Sequence, residues 1–316
     1  MKNKPADILY GGLNADKIKN ANPKFHPEHL EMFMQFVRDR YKVHLNKDYY
    51  KTAKPWTDNP ILQNYKFTNV RREHDKTTIR LLNLLEDNKD ASYGNKIMNI
   101  ILFRLFNKIE TSELIDWVDF AHYDEAYLRA RLADVKPGFV YFTNAFYTTG
   151  MRQGFRKCYP DEKFEPIVIA NVCNDMKREV VGAIKRAKTP QEVIDALQMF
   201  NGIGNFLSYQ MFVDLTYLPE FPWSENEFVV SGPGCIAGLT ELFEDRGGLT
   251  FDELLFWLRD NCPITREECM ELMVDLPEED RVMNLMSLEN CMCELSKYIR
   301  AVEGTGRPKN IYNGLV

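Results

Sequence analysis

The chain has 316 residues, 45% of them apolar, 27% charged and 12% aromatic, with a net charge of −6. That is enough for one large or two modest globular domains, and it excludes a collagen, a coiled-coil rod and a mainly disordered polymer. The longest near-apolar run, Ile97–Phe106, contains Asn99 and Arg104. It is too short and too polar for a membrane span. The basic start from Met1 to Pro5 has no apolar block behind it. No secretory leader is read there, and a cytoplasmic location is expected.

Most of the chain reads as helices punctuated by Pro, Gly and Asn. His29–Arg40 places Leu30, Phe33, Met34 and Val37 on one face. Asn69–Leu85 follows, with Val70, Ile79, Leu82 and Leu85 expected inward. Tyr93–Phe106 is apolar nearly all round, which predicts a central core helix. Thr111–Trp117, Tyr123–Ala133 and Ile167–Ala187 continue the series. Thr189 is a natural N-cap, with Pro190 at the first helical position and Glu192 able to cover free amides. Phe251–Asp260, Thr265–Val274 and Leu285–Arg300 complete the set. Short extended pieces are expected only near 139–142 and 228–230, and Gly304–Val316 reads as a polar tail laid over the surface. The class expected is all-α.

Seven cysteines make an odd count with no CxxC pair, which favours reduced thiols. Cys262 and Cys269 resemble the opening of an iron–sulfur loop, but Cys291 and Cys293 come much too late to close it. The five histidines form no zinc pattern, so no metal site is assigned. Charge is unevenly spread: Glu241–Glu294 holds fifteen Asp and Glu against four Lys and Arg. The remainder is therefore net basic. Arg38, Arg40, Lys42, Lys47, Lys51 and Lys54 interleave with Tyr41, Tyr49 and Tyr50. Lys66, Arg71, Arg72, Lys76 and Arg80 form a second basic stretch. Such stretches suit a phosphate backbone with bases to stack on, or simply a solvated helix face.

Val193–Leu215 reads as a helix, the turn Phe200-Asn201-Gly202-Ile203-Gly204, and a second helix from Asn205. Gly202 and Gly204 permit positive φ and close approach, while Ile203 plugs the corner. The amides opening the second helix, at Gly204 and Asn205, can then hold a phosphate. This resembles the DNA-binding helix-hairpin-helix; the alternative is an ordinary αα-corner with a glycine cap. In DNA glycosylases with this hairpin, some members carry a Lys just inside the second helix, where this chain has Phe206. No Schiff base can form there. Their catalytic Asp lies about twenty residues beyond the hairpin, where this chain has Glu225 and Glu227 before Gly232-Pro233-Gly234. The fold implied is helix-hairpin-helix DNA glycosylase-like, two helical lobes around a cleft. Its expected divisions are a basic, aromatic segment 1–54, a lobe 55–160, a hairpin lobe 161–303 and a tail 304–316.

Three further blocks sharpen the resemblance. They are Pro55-Trp56-Thr57 through Asn59-Pro60-Ile61-Leu62 to Phe67-Thr68-Asn69-Val70-Arg71-Arg72-Glu73, then Phe228–Cys235, then Leu288–Arg300. Together they resemble the α-glutamyl/putrescinyl-thymine pyrophosphorylase family of DNA-hypermodifying phages, over roughly residues 30–312. The resemblance implies a transferase that replaces the pyrophosphate of 5-(pyrophosphoryloxymethyl)uracil in DNA with an amine. An upstream 5-hydroxymethyluracil DNA kinase would supply the substrate, and a free amino acid or polyamine the amine. No membrane partner is implied.

A leaving pyrophosphate must meet cations, for which Arg71, Arg72 and Lys76 are the candidates and Lys66 a second choice. Arg72 and Lys76 would share one helical face, and each arginine can instead pair with Glu73 or Asp75. The attacking amine must lose a proton, and Glu227 or Glu225 can take it, with Asp75 a further candidate base. Lys297 and Arg300 can hold an amino-acid carboxylate, with Asn69 a third contact to the amine substrate; a buried polar network in Leu288–Arg300 is the other reading. Cys235 is expected buried. No cofactor is required, although magnesium can share the load through Asp75 or Glu73. A monofunctional glycosylase and a non-catalytic DNA-binding module are the alternatives.

Overall fold

The computed structural model describes residues 10–143, 146–261 and 283–312. The chain divides into two compact units, one built from the residues up to Asp75 together with those from Glu225 onward, the other from Lys76–Ser224. The 55–160 stretch therefore contributes to both units. The regular secondary structure of the described residues is almost wholly helical, and no helix among them is long and apolar enough to cross a membrane.

The first unit opens with α1 (Ala15–Asn20), capped by Asn14, and the short strand β1 (Lys24–Phe25). Helix α2 (Pro27–His44) buries Phe33, Phe36, Val37 and Tyr41 and ends in a π-turn, Leu45–Tyr49. After an irregular strip comes the one-and-a-half-turn α3 (Pro60–Asn64), started by Asn59 as N-cap and Pro60 at the first position. The expected helix from Asn69 does not form. Residues 72–74 make a single 3-10 turn, and the α-helix begins only at Lys76. Asn69 is the reason: its N–H donates to Asp75 Oδ1 (3.3 Å) and its side-chain amide to the His74 carbonyl (2.8 Å). These local side-chain bonds compete with helix propagation. Arg72 and Lys76 accordingly do not share a helical face.

The second unit starts with α4 (Lys76–Asp87), which buries Thr78, Leu81, Leu84 and Leu85 and leaves Ile79 exposed, contrary to the periodicity. Helix α5 (Tyr93–Phe106) is buried from Lys96 to Phe106, the core helix its composition predicts. Its Arg104 is fully engaged: Nε and Nη2 reach the two carboxylate oxygens of buried Asp214 at 2.5 and 2.7 Å. Then follow α6 (Ile109–Ile115), α7 (Glu125–Ala133), α8 (Thr149–Cys158), α9 (Glu165–Arg186), α10 (Pro190–Leu197) and α11 (Asn205–Leu215). Thr189 caps α10 as read from the sequence, accepting the Glu192 N–H at 3.2 Å. The described part of 139–142 forms no strand, and neither does 228–230.

The chain returns to the first unit for α12 (Pro233–Leu242), β2 (Phe243–Asp245), α13 (Phe251–Asp260) and α14 (Leu285–Val302). β2 pairs antiparallel with β1, and α13 starts with a capping box between Thr250 and Glu253. The Gly-Pro-Gly stretch is a helix start, not a free-standing turn: Gly232 is the N-cap of α12 and Pro233 its first residue. Helices α12 and α14 form the closest pair in this unit. A Cβ on Gly238 would lie 2.0 Å from the Met292 carbonyl oxygen, so only glycine allows that approach. The segment expected as Thr265–Val274, with Cys262 and Cys269, lies outside the described residues.

Candidate functional site: a polar cleft in the first unit

A cleft of about 830 Å3 opens in the first unit. Its walls are Gln35, Asp39 and Lys42 from α2, the strip from Pro55 to Ile61, and Tyr298 from α14. Asn59 holds these walls together. Its Oδ1 accepts the N–H groups of Ile61 (3.0 Å) and Leu62 (3.3 Å), which caps α3. Its Nδ2 donates to Asp39 Oδ2 (3.1 Å) and to the Tyr298 hydroxyl (2.8 Å). Gln35 Nε2 donates to the other Asp39 oxygen at 2.8 Å, and the Tyr298 ring stacks on Phe36 with centroids 4.5 Å apart. One amide thus makes all four of its hydrogen bonds, and so sets the cleft's geometry from three segments distant in sequence.

Behind the cleft, the 66–75 segment is anchored to α2 and α14. Buried Arg40 donates to the Asn69 carbonyl (2.9 Å) and to Cys291 Sγ (3.5 Å), and stacks over Phe36. His44 and His74 stack with centroids 4.0 Å apart. Burial, reinforced by His44 and Arg71, pushes the His74 imidazole down to about 4, so both rings are neutral near neutral pH. Arg71 and Arg72 are buried, Arg71 pairing with Glu73 at 2.9 Å. Glu289 is buried beside the start of α12, where it accepts from Gly232 N–H and from Cys293 Sγ at 3.3 Å. Burial pushes its carboxyl up, and nearby Arg72 only partly offsets this. Asn69, Arg71, Arg72 and Asp75 are thus all in the first unit, together with Glu289.

The other expected site residues are dispersed. Lys66 is exposed in the first unit, whereas Lys76, also exposed, opens α4 of the second. Glu227 is buried, and Glu225 accepts from the Asn284 amide. Lys297 pairs with Glu294 at 3.0 Å, and Arg300 Nε donates to the Ser296 carbonyl at 3.0 Å. Cys235 is fully buried and its thiol is pushed well up by desolvation. Of the two carboxylates through which magnesium was expected to act, Glu73 pairs with Arg71 through Oε1 and Asp75 accepts the Asn69 N–H through Oδ1. Among the described residues no group of three or more His, Cys, Asp or Glu is placed to hold a metal ion.

The hairpin lies in the second unit. Ile203 is buried between α10 and α11, and Gly202 has φ +95°. Its close approach is to protein: a Cβ there would meet the Gly150 carbonyl oxygen at 2.2 Å. Gly204 does not take positive φ; it is the extended N-cap of α11 (φ −105°) with open space about it. Asn205 is exposed and its side chain accepts from Gln198 at 2.7 Å. Asn59 and Tyr298 fall within the quoted motif blocks, but neither they nor Asp39 had a site role from the sequence. The Asn59-Pro60 pair was the one readable signal among them, as a helix start.

Fold and cleft define an all-α protein whose conspicuous motifs, Pro55–Asp75, Phe228–Cys235 and Leu288–Arg300, assemble in one unit. Residues 27–307 match the family described as "5-hmdU DNA kinase, helical domain", and the chain belongs to that family. It is 24% identical over 285 residues to the 5-hmdU DNA kinase of Bacillus phage SP10, an alignment covering 85% of this chain and 44% of that protein. The chain thus spans less than half the length of this relative. No solved structure matches it.

Proposed function

We propose that the chain acts in phage thymine hypermodification as an enzyme, exchanging the pyrophosphate of 5-(pyrophosphoryloxymethyl)uracil in DNA for an amine. The family and the SP10 relative support a role on hydroxymethylated uracil in DNA. In this reading a 5-hydroxymethyluracil DNA kinase activity acts upstream and supplies the pyrophosphorylated base. The carrying observation is the convergence of the three motif blocks on one unit, two of them contributing walls to its polar cleft.

In this reading the modified nucleotide leaves the helical stack, at a cost of a few kcal/mol, and enters the cleft against Trp56. The Tyr298 hydroxyl, the Gln35 side-chain carbonyl and Lys42 offer a donor, an acceptor and a cation to the uracil edge. The amine nitrogen attacks the base methylene, the carbon–oxygen bond breaks, and the electron pair leaves with pyrophosphate. The proton lost by nitrogen goes to a carboxylate, with Glu227 first, then Asp75 and Glu225. Arg71, Arg72 and Lys66 answer the leaving charge; Lys297, Arg300 and Asn69 serve the amine substrate; and Gly202–Asn205, in the second unit, are proposed to grip DNA as a glycosylase-like hairpin.

The test supplies DNA carrying the pyrophosphorylated base with a panel of amino acids and polyamines. Digested nucleosides are then read by mass spectrometry. A new aminomethyl-linked nucleoside with release of pyrophosphate is expected. Unchanged nucleosides across the panel overturn the reading.

A further inference from the structure

At the rim of the cleft, three residues from one short stretch and a fourth from near the C-terminus form one cationic, aromatic surface. Trp56 lines the cleft, and its ring meets that of Tyr312 edge-to-face with centroids 5.5 Å apart. Tyr312 arrives there because the C-terminal segment pairs with the end of α3. Lys66 N–H donates to the Asn310 carbonyl (2.9 Å), and Tyr312 N–H to that of Asn64 (3.1 Å). Two ammonium groups sit over this ring pair. Lys54 Nζ lies 5.1 Å from the Trp56 centroid and 5.3 Å from that of Tyr312. The corresponding distances for Lys47 are 5.7 and 6.0 Å. Tyr49 and Tyr50, each 57% exposed, extend the surface along the same turn.

We infer that this surface is a DNA-strand site: Lys47 and Lys54 neutralise backbone phosphates flanking the nucleotide in the cleft, and Trp56 and Tyr312 offer ring surface to its neighbouring bases. The inference rests on the proposed action on DNA; it selects Lys47 and Lys54 from the basic, aromatic stretch of the sequence and adds Tyr312, which no motif marked. Charge and shape both favour it. Among the described residues Lys54 has no carboxylate within ion-pair distance, and Lys47 has only Asp48, at 3.4 Å, which it shares with His44. Lysines beside half-buried ring surface match a polyanion that carries flat bases, because each lysine can bind a phosphate while the rings stack. The surface is also continuous with the cleft through Trp56, so a strand bound here leads directly into it.

The experiment measures binding of the full chain to fluorescently labelled single-stranded and duplex oligonucleotides by anisotropy, as a function of salt. Each phosphate contact contributes about 0.7–0.9 to the slope of log K against log salt. K47Q/K54Q should therefore flatten the slope by about 1.5, so that raising salt fourfold weakens the native protein about eightfold more than the variant. The single exposed-site variant K54Q should show about half that change, which guards against a folding defect in the pair. Tyr312→Ala should weaken binding at least about fivefold through lost stacking. Native binding with an unaltered slope in K54Q and K47Q/K54Q overturns this inference and leaves the proposed reaction standing. Absence of any DNA binding by the native chain overturns both.

Discussion

Asn59→Asp keeps the shape of the side chain and its capping oxygen, but replaces an NH2 that makes two hydrogen bonds by a second oxygen. The bond to Asp39 (3.1 Å) has a charged acceptor and is worth about 1.5–3 kcal/mol, whereas the Tyr298 hydroxyl (2.8 Å) can turn and donate to the new oxygen. In place of the first bond stand two carboxylates at hydrogen-bond distance, which repel. The helix cap survives, because Ile61 and Leu62 still find an acceptor. The first unit should therefore lose about 3–5 kcal/mol at neutral pH. Asp39 raises the folded-state pKa of the introduced carboxyl above its unfolded value of about 4. The folded variant then holds an extra proton, so its stability relative to native rises as pH falls from about 7 to about 5. Urea denaturation followed by tryptophan fluorescence, run on native and variant in parallel, measures this difference. A loss below about 0.5 kcal/mol at neutral pH would refute the view that one amide ties the cleft together, as would a loss that does not shrink on acidification.

His74 titrates in the opposite sense. Its folded pKa, about 4 against an ordinary 6.5, makes the first unit lose up to about 3 kcal/mol as pH falls through that window, and His74→Gln should flatten the profile in urea titrations. In the hairpin, Gly202→Ala combines positive φ with a backbone collision and should cost about 3 kcal/mol, whereas Gly204→Ala should cost under about 1 kcal/mol; thermal melting separates the two. Arg104→Met or Asp214→Asn alone should destabilise the second unit by about 3–5 kcal/mol, since each leaves a buried charge uncompensated. The apolar double exchange R104M/D214L should cost less than the sum of its two single exchanges, read as a coupling energy from denaturation curves.

Helical class, the buried α5 and the Thr189 cap were all legible along the chain, because helix propensity, apolar period and capping act between residues a few positions apart. The bounds Phe251–Asp260 came out the same from periodicity and from structure. Ile203 was likewise readable as the plug of a glycine corner. Periodicity failed at Asn69–Asp75, where side chains that suit a helix by spacing were captured by backbone groups within the same segment. It also misjudged Ile79, since an apolar residue faces inward only where another element covers it. Which arginines face solvent was not legible either. Arg40, Arg71 and Arg72 look like surface bases in one dimension, yet each is buried. A buried cation is tolerable only with partners that desolvation makes obligatory. Asn69 and Cys291 for Arg40, and the Glu289 carboxylate near Arg72, are supplied from elsewhere in the chain. The cleft and its aromatic rim depend on the same kind of meeting: Asp39 with Asn59 and Tyr298, and Trp56 with Tyr312. The sequence alone determined the local segments, because their energies are local; tertiary structure decided which polar groups meet, because burying them requires partners from distant parts of the chain.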